Sequence, residues 1–115
     1  MQPISSYITG LKERMEAGRQ QAALRRQELR QHVDRLAGIC RRHGATEVWL
    51  FGSLATDRDG GDPDIDLAVR GLPARRFFDC YGELLMAAPA PVDLVDLETC
   101  PPHLREAVLR EGVRQ

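Results

Sequence analysis

No stretch of this 115-residue chain approaches the roughly 20 consecutive apolar residues of a membrane-spanning helix. The first residues also lack the short apolar run and small-residue cleavage site of a secretory signal. A cytoplasmic protein with no membrane contact is therefore expected. Cysteine is scarce: Cys40, Cys80 and Cys100 are odd in number, widely spaced, and without a CxxC pair or a His at zinc-ligand spacing. That excludes a disulfide framework as the basis of the fold and assigns the three to buried, small apolar positions. Internal repeats and low-complexity tracts are absent. Net charge is nearly absent as well, at -1, yet the balance is uneven: Arg is dense as far as Arg42, and Asp is concentrated between Asp57 and Asp66.

What remains is ordinary for a soluble globular protein, 43% hydrophobic and 29% charged. The length suits one compact core. From a cap at Ser5 or Ser6, the residues Ile8, Leu11, Met15, Ala22, Leu29, Val33, Leu36 and Cys40 recur at steps of three and four. This spacing predicts one long helix, or two joined near Gly18, ending at His43-Gly44. Gly18 and Arg25 fall on its apolar seam, so the helix is expected to project partly beyond the domain and to seek a partner. Residues 1–43 are accordingly read as a helical arm and 44–115 as the catalytic-sized domain. The Arg residues of the arm alternate with Glu and Gln, which favours a solvated helix face over direct nucleic-acid binding.

Three short strands follow. Glu47–Phe51 is a buried run between glycines, Asp64–Val69 alternates with period two, and Val92–Leu97 alternates again. Pro73 opens a helix through Phe77, Phe78, Tyr81, Leu84 and Leu85, and Pro101-Pro102 leads into a last helix with Gly112 just past its end. The expected fold is α/β (α+β), a small mixed sheet with helices packed on it. Trp49, Phe77 and Phe78 are assigned to the core, and His43 and His103 to helix ends.

Alternation places Asp64 and Asp66 on one face, with Ile65, Leu67 and Val69 on the other. Two carboxylates side by side repel unless a cation lies between them, and Mg²⁺ takes oxygen ligands of this kind together with substrate phosphates. Asp93 and Asp96 have opposite parity, so only one can join them. Pro91 puts Asp93 near the start of its strand, and Asp93 is chosen. A solvated edge strand would also explain two aspartates, but Asp is poor in strands. Asp57, Asp59 and Asp62 are read as turn residues. The Gly52-Ser53 turn, leaving a buried strand, lets a phosphate approach the backbone and offers it an N–H and a hydroxyl.

Phe51-Gly52-Ser53-Leu54-Ala55 followed by Asp64-Ile65-Asp66-Leu67-Ala68-Val69 resembles the Gly-Ser, ten-residue gap, Asp-x-Asp signature of polymerase-beta-like nucleotidyltransferases. Pro91–Leu97 and Leu104–Val113 resemble the minimal, MNT-type branch. The resemblance implies a nucleotidyltransferase fold in which Gly52 and Ser53 bind nucleotide phosphates and Asp64 and Asp66 ligate two metal ions. Asp93 would be the third carboxylate, beside the acceptor hydroxyl. Mg²⁺ is the expected ion, with Mn²⁺ as its substitute, and ATP the expected substrate. MNT-type proteins are similar to antitoxins paired with HEPN ribonuclease toxins, which implies AMP transfer to a toxin tyrosine and a HEPN-domain partner. A domain this small has little room for an acceptor lobe, which also points to a protein acceptor. Two other readings stay open: a binding module that neutralises its partner by masking, and a transferase acting on a small molecule. Either a homo- or a hetero-oligomer is compatible with the sequence.

Overall fold

The computed structural model describes residues 4–56 and 63–115; the turn residues Asp57, Asp59 and Asp62 lie outside the described residues. Helix α1 (Ile4–Arg42) is a single continuous helix of 39 residues, so Gly18 makes no joint. It ends where the sequence places the end. Gly44 has φ of +114°; the Ala45 N–H donates to Cys40 O at 3.1 Å and the Gly44 N–H to Arg41 O at 3.0 Å. These two crossed bonds form a Schellman closure, which needs a left-handed residue at that position.

Strand β1 (Glu47–Phe51) runs into a short helix α2 (Ser53–Thr56), followed by β2 (Ile65–Arg70). A single turn of 3-10 helix over Ala74–Arg76 precedes α3 (Phe77–Ala87), and β3 (Val92–Asp96), α4 (Pro102–Glu111) and β4 (Val113–Arg114) complete the fold. The sheet order is β3-β2-β1-β4. β1 is antiparallel to both β2 and β4, and β2 is parallel to β3, with α3 as the crossover that a parallel pair requires. The mixed α/β architecture expected from the sequence is the one observed. The one-turn helix α2 and the strand β4 are the elements the sequence reading lacks, since four and two residues are too few to show periodicity.

One sheet face packs Val48, Leu50, Ile65, Leu67, Val69, Val92 and Leu94 against Leu29, Val33, Leu36 and Cys40 of α1 and Cys80 and Leu84 of α3. The other packs Ala68 and Leu97 against Val108 of α4, with Trp49, Phe51, Val95 and Leu104 around them. Cys40 and Cys80 are fully buried, Cys100 partly. Phe78 departs from expectation: it is 82% exposed, because Phe77 and Tyr81 take the inward positions of α3, and its ring meets Phe77 edge-on. α1 and α3 are further tied by polar contacts. Arg76 donates to His43 Nδ1 at 3.0 Å, His43 Nε2 meets Glu83 Oε1 at 3.2 Å, and Arg42 reaches Glu83 Oε2 at 2.7 Å. The His43 hydrogen bond first, and then the Arg42 charge, hold the Glu83 carboxyl below its usual range. Among the described residues no helix is long and apolar enough to cross a membrane.

Candidate active site

β1 leaves the sheet at Phe51, and the chain must reverse at once for α2 to begin at Ser53. Gly52 makes the reversal at φ of +74°, a conformation that costs other residues about 1–2 kcal/mol. Steric reasons act in the same direction. A Cβ on Gly52 would run into the Asp66 carboxylate, which stands across the β1–β2 pair from Phe51. The Ala55 and Thr56 N–H groups and the Thr56 hydroxyl all return to Gly52 O. The N–H groups of Ser53 and Leu54 come before the first intrahelical bond and so have no acceptor within the helix.

Asp66 shares its sheet face with Ala68, opposite to Ile65, Leu67 and Val69, as period two requires. Asp64 lies just before β2 and is exposed. Asp93 is the second residue of β3 and pairs directly with Asp66 in the parallel register, so the two Cα atoms are about 4.8 Å apart. Asp96 pairs with Val69 at the far end of the strand, where its Oδ1 accepts the Glu98 N–H at 2.9 Å and closes a turn. The structure thus brings Gly52, Ser53, Asp64, Asp66 and Asp93 to one end of the sheet and leaves Asp96 at the other.

Asp66 is half-buried. That burial, reinforced by the charges of Asp93 and then Asp64, raises its carboxyl above the usual aspartate range. Tyr81 reaches the cluster from α3, a role that sequence reasoning missed when it placed Tyr81 among the apolar residues of that helix. Its hydroxyl lies 2.9 Å from Val92 O and 3.3 Å from Asp93 Oδ1. Burial, followed by the Asp93 charge, raises the Tyr81 phenol above its ordinary value. A tyrosine in a helix of otherwise apolar inward residues was the available signal, because a buried phenol needs a polar partner.

A divalent cation fits this donor set: hard carboxylate oxygens, with mutual repulsion that a cation relieves. Among the described residues no three His, Cys, Asp or Glu side chains are gathered tightly enough to enclose an ion by themselves. Such a site would need oxygens from a substrate to complete it, as Mg²⁺ sites on phosphate substrates commonly do.

A model of the polymerase beta nucleotidyltransferase family matches residues 35–114. No curated protein sequence matches the chain. Among solved structures, one assigned as a minimal nucleotidyltransferase is 34% identical, with a TM-score of 0.63 over 76% of this chain and 93% of that one. A toxin–antitoxin structure with AMP-PNP is 26% identical, with a TM-score of 0.61 over 70% of this chain and 69% of that one. The same fold occurs in one chain of a complex between a tri-AMPylated Shewanella oneidensis HEPN toxin and an MNT antitoxin, at 24% identity and a TM-score of 0.59 over 75% of this chain and 70% of that one.

Proposed function

The chain belongs to the polymerase beta nucleotidyltransferase family, and from that premise we propose that it transfers AMP from ATP to a hydroxyl of a protein partner, a tyrosine of a HEPN toxin, and so serves as the antitoxin of such a pair. One observation carries the reading: Asp66 stands in register with Asp93 on one side and against the side-chain-free Gly52 turn on the other. The backbone at Gly52 and Ser53 would receive the phosphates through the N–H groups of Ser53 and Leu54, which have no acceptor within α2. Asp64, Asp66 and Asp93 would hold two Mg²⁺ or Mn²⁺ ions, which supply charge stabilisation to the entering and leaving oxygens.

The chain's own groups do the rest. The acceptor oxygen forms a bond to the α-phosphorus while the bond to the α–β bridging oxygen breaks, and pyrophosphate leaves with that oxygen. Asp93, on the edge strand and exposed, receives the acceptor proton. Tyr81 orients that carboxylate. Relatives support the substrate and the partner: one structure contains AMP-PNP, and another pairs a tri-AMPylated HEPN toxin with an MNT antitoxin. The test is intact-mass analysis of the partner co-purified with this chain. After incubation with ATP and Mg²⁺ the partner gains adenylyl groups; an unchanged mass in an active preparation overturns the proposal.

A further inference from the structure

The apolar seam of α1 extends from Ile4 to Cys40, interrupted at Gly18 and Arg25, and only its C-terminal half is covered. Leu29, Val33, Leu36 and Cys40 are buried on the sheet. Ile4, Ile8, Leu11 and Met15 continue the same steps of four and three, and stand 76%, 47%, 51% and 55% exposed. The arm also has a definite place relative to the carboxylates. Travelling back along α1, Arg42 meets Glu83, Arg35 donates to Ala87 O, and Arg25 donates to Pro89 O. Arg30 donates to Leu54 O, just past the Gly52 turn. α1 therefore advances toward the end of the sheet that bears Gly52, Asp66 and Asp93. The segment from Ile4 to Leu24, about 31 Å at about 1.5 Å per residue, overhangs that end. Since the buried half of the seam faces the sheet, a helix seated on the exposed half would lie in the continuation of the sheet layer, beyond the end at which Asp66 and Asp93 stand.

The rims of the seam identify the occupant. With Ile4, Ile8, Leu11, Met15 and Gly18 as core positions, the flanking positions are Ser5, Tyr7, Lys12, Arg14, Arg19 and Gln21, all exposed, and every charge among them is positive. Glu13 and Glu16 sit one step further out. A second copy of the arm would set Arg14 against Arg19 in a parallel pair, and Lys12 and Arg19 against their equals in an antiparallel one, so self-pairing is opposed in both orientations. The seam is two positions per heptad wide, the geometry of helix pairing, whereas a membrane-surface helix has a broad apolar face. We infer that the arm is a docking rail for an amphipathic helix of the partner protein with acidic residues flanking its apolar seam, which it holds beside the transfer site. The identity of that partner as the acceptor rests on the function proposed above; the docking itself needs neither nucleotide nor metal.

The experiment uses the full chain and two fluorescently labelled synthetic peptides of about four heptads, both with Leu at the core positions, one with Glu and the other with Lys at the flanks. The Glu-flanked peptide is expected to bind at least about tenfold more tightly, with a preference that shrinks as salt rises. Combined Lys12→Glu, Arg14→Glu and Arg19→Glu substitutions invert the preference. Leu11→Asp with Met15→Asp abolishes binding of both peptides, and Asp66→Asn leaves it unchanged. These residues are exposed, so the fold tolerates the changes. Equal affinity for the two peptides overturns the inference, as does a dimer of the free chain that Leu11→Asp with Met15→Asp dissociates, or binding to phosphatidylserine vesicles without binding to peptide. Loss of AMP transfer with peptide binding retained refutes the transferase reading alone, and the reverse result refutes the rail alone.

Discussion

Replacing Asp66 with Asn should make the metal-free protein more stable while destroying its proposed activity. The substitution preserves shape and removes one charge from a cluster in which Asp93 is the direct cross-strand neighbour. Two unit charges about 4.8 Å apart repel by about 1 kcal/mol in water and about 3.5 kcal/mol at an effective dielectric of about 20. Asp93 is exposed, so screening favours the lower half of that range, about 1–2 kcal/mol. At about 4 °C per kcal/mol for a domain of this size, the melting temperature of Asp66→Asn in EDTA at neutral pH should rise by about 4–8 °C. The pH dependence follows from the direction of the shift. The folded carboxyl titrates above its ordinary value of 3.8, so between the two values the native state binds more protons than the unfolded one, and wild-type stability falls as pH rises through that window. The advantage of Asp66→Asn is thus full at neutral pH and absent below about pH 4. Millimolar Mg²⁺ should raise the wild-type melting temperature and largely spare the variant. Scanning calorimetry across pH, with EDTA and with Mg²⁺, is the assay. A variant less stable than wild type in EDTA at neutral pH, or a difference independent of pH, would refute the electrostatic reasoning.

Gly52→Ala and Gly71→Ala form a matched pair, because both glycines have positive φ and in both a Cβ would strike a neighbour, Asp66 in one case and Thr46 in the other. Each should lose about 1–3 kcal/mol by chemical denaturation, but only Gly52→Ala should also lose nucleotide binding, measured by calorimetric titration. Tyr81→Phe removes a hydroxyl next to Asp93 and should lower kcat several-fold with little change in KM for ATP; a change confined to KM would count against a positioning role. Leu67→Ala, in a fully buried site, should cost about 2–5 kcal/mol, whereas Phe78→Ser should stay within about 0.5 kcal/mol, both read from urea midpoints.

The carboxylate cluster was legible because alternation in Asp64–Val69 and Val92–Leu97 fixes faces without any knowledge of the fold. Register was not: that Asp93 pairs with Asp66, and Asp96 with Val69, depends on how the α3 crossover seats β3, a tertiary outcome. The helix stop at Gly44 was readable from a local conformational rule, and the crossed hydrogen bonds there satisfy it. Phe78 went astray because successive helix positions point about 100° apart, and the covered face of α3 takes Phe77 and Tyr81; period alone does not say which of two adjacent aromatics turns out. β4 escaped because Val113 and Arg114 are ordered by pairing with Leu50 and Trp49, not by any pattern of their own. The exposed seam of α1 was anticipated from Gly18 and Arg25 on the stripe, but its overhang beyond the carboxylate end required the contacts of Arg25 and Arg35 with the end of α3 and the segment after it.

The most direct measurement is the rate at which label from α-labelled ATP appears on the co-purified partner with Mg²⁺ present, for wild type and for Asp64→Asn and Asp66→Asn. Covalent label at a steady rate in the wild type, slowed about a hundredfold or more in both variants, is the predicted result. Transfer by either variant at the wild-type rate would contradict the assignment of these carboxylates to the chemistry.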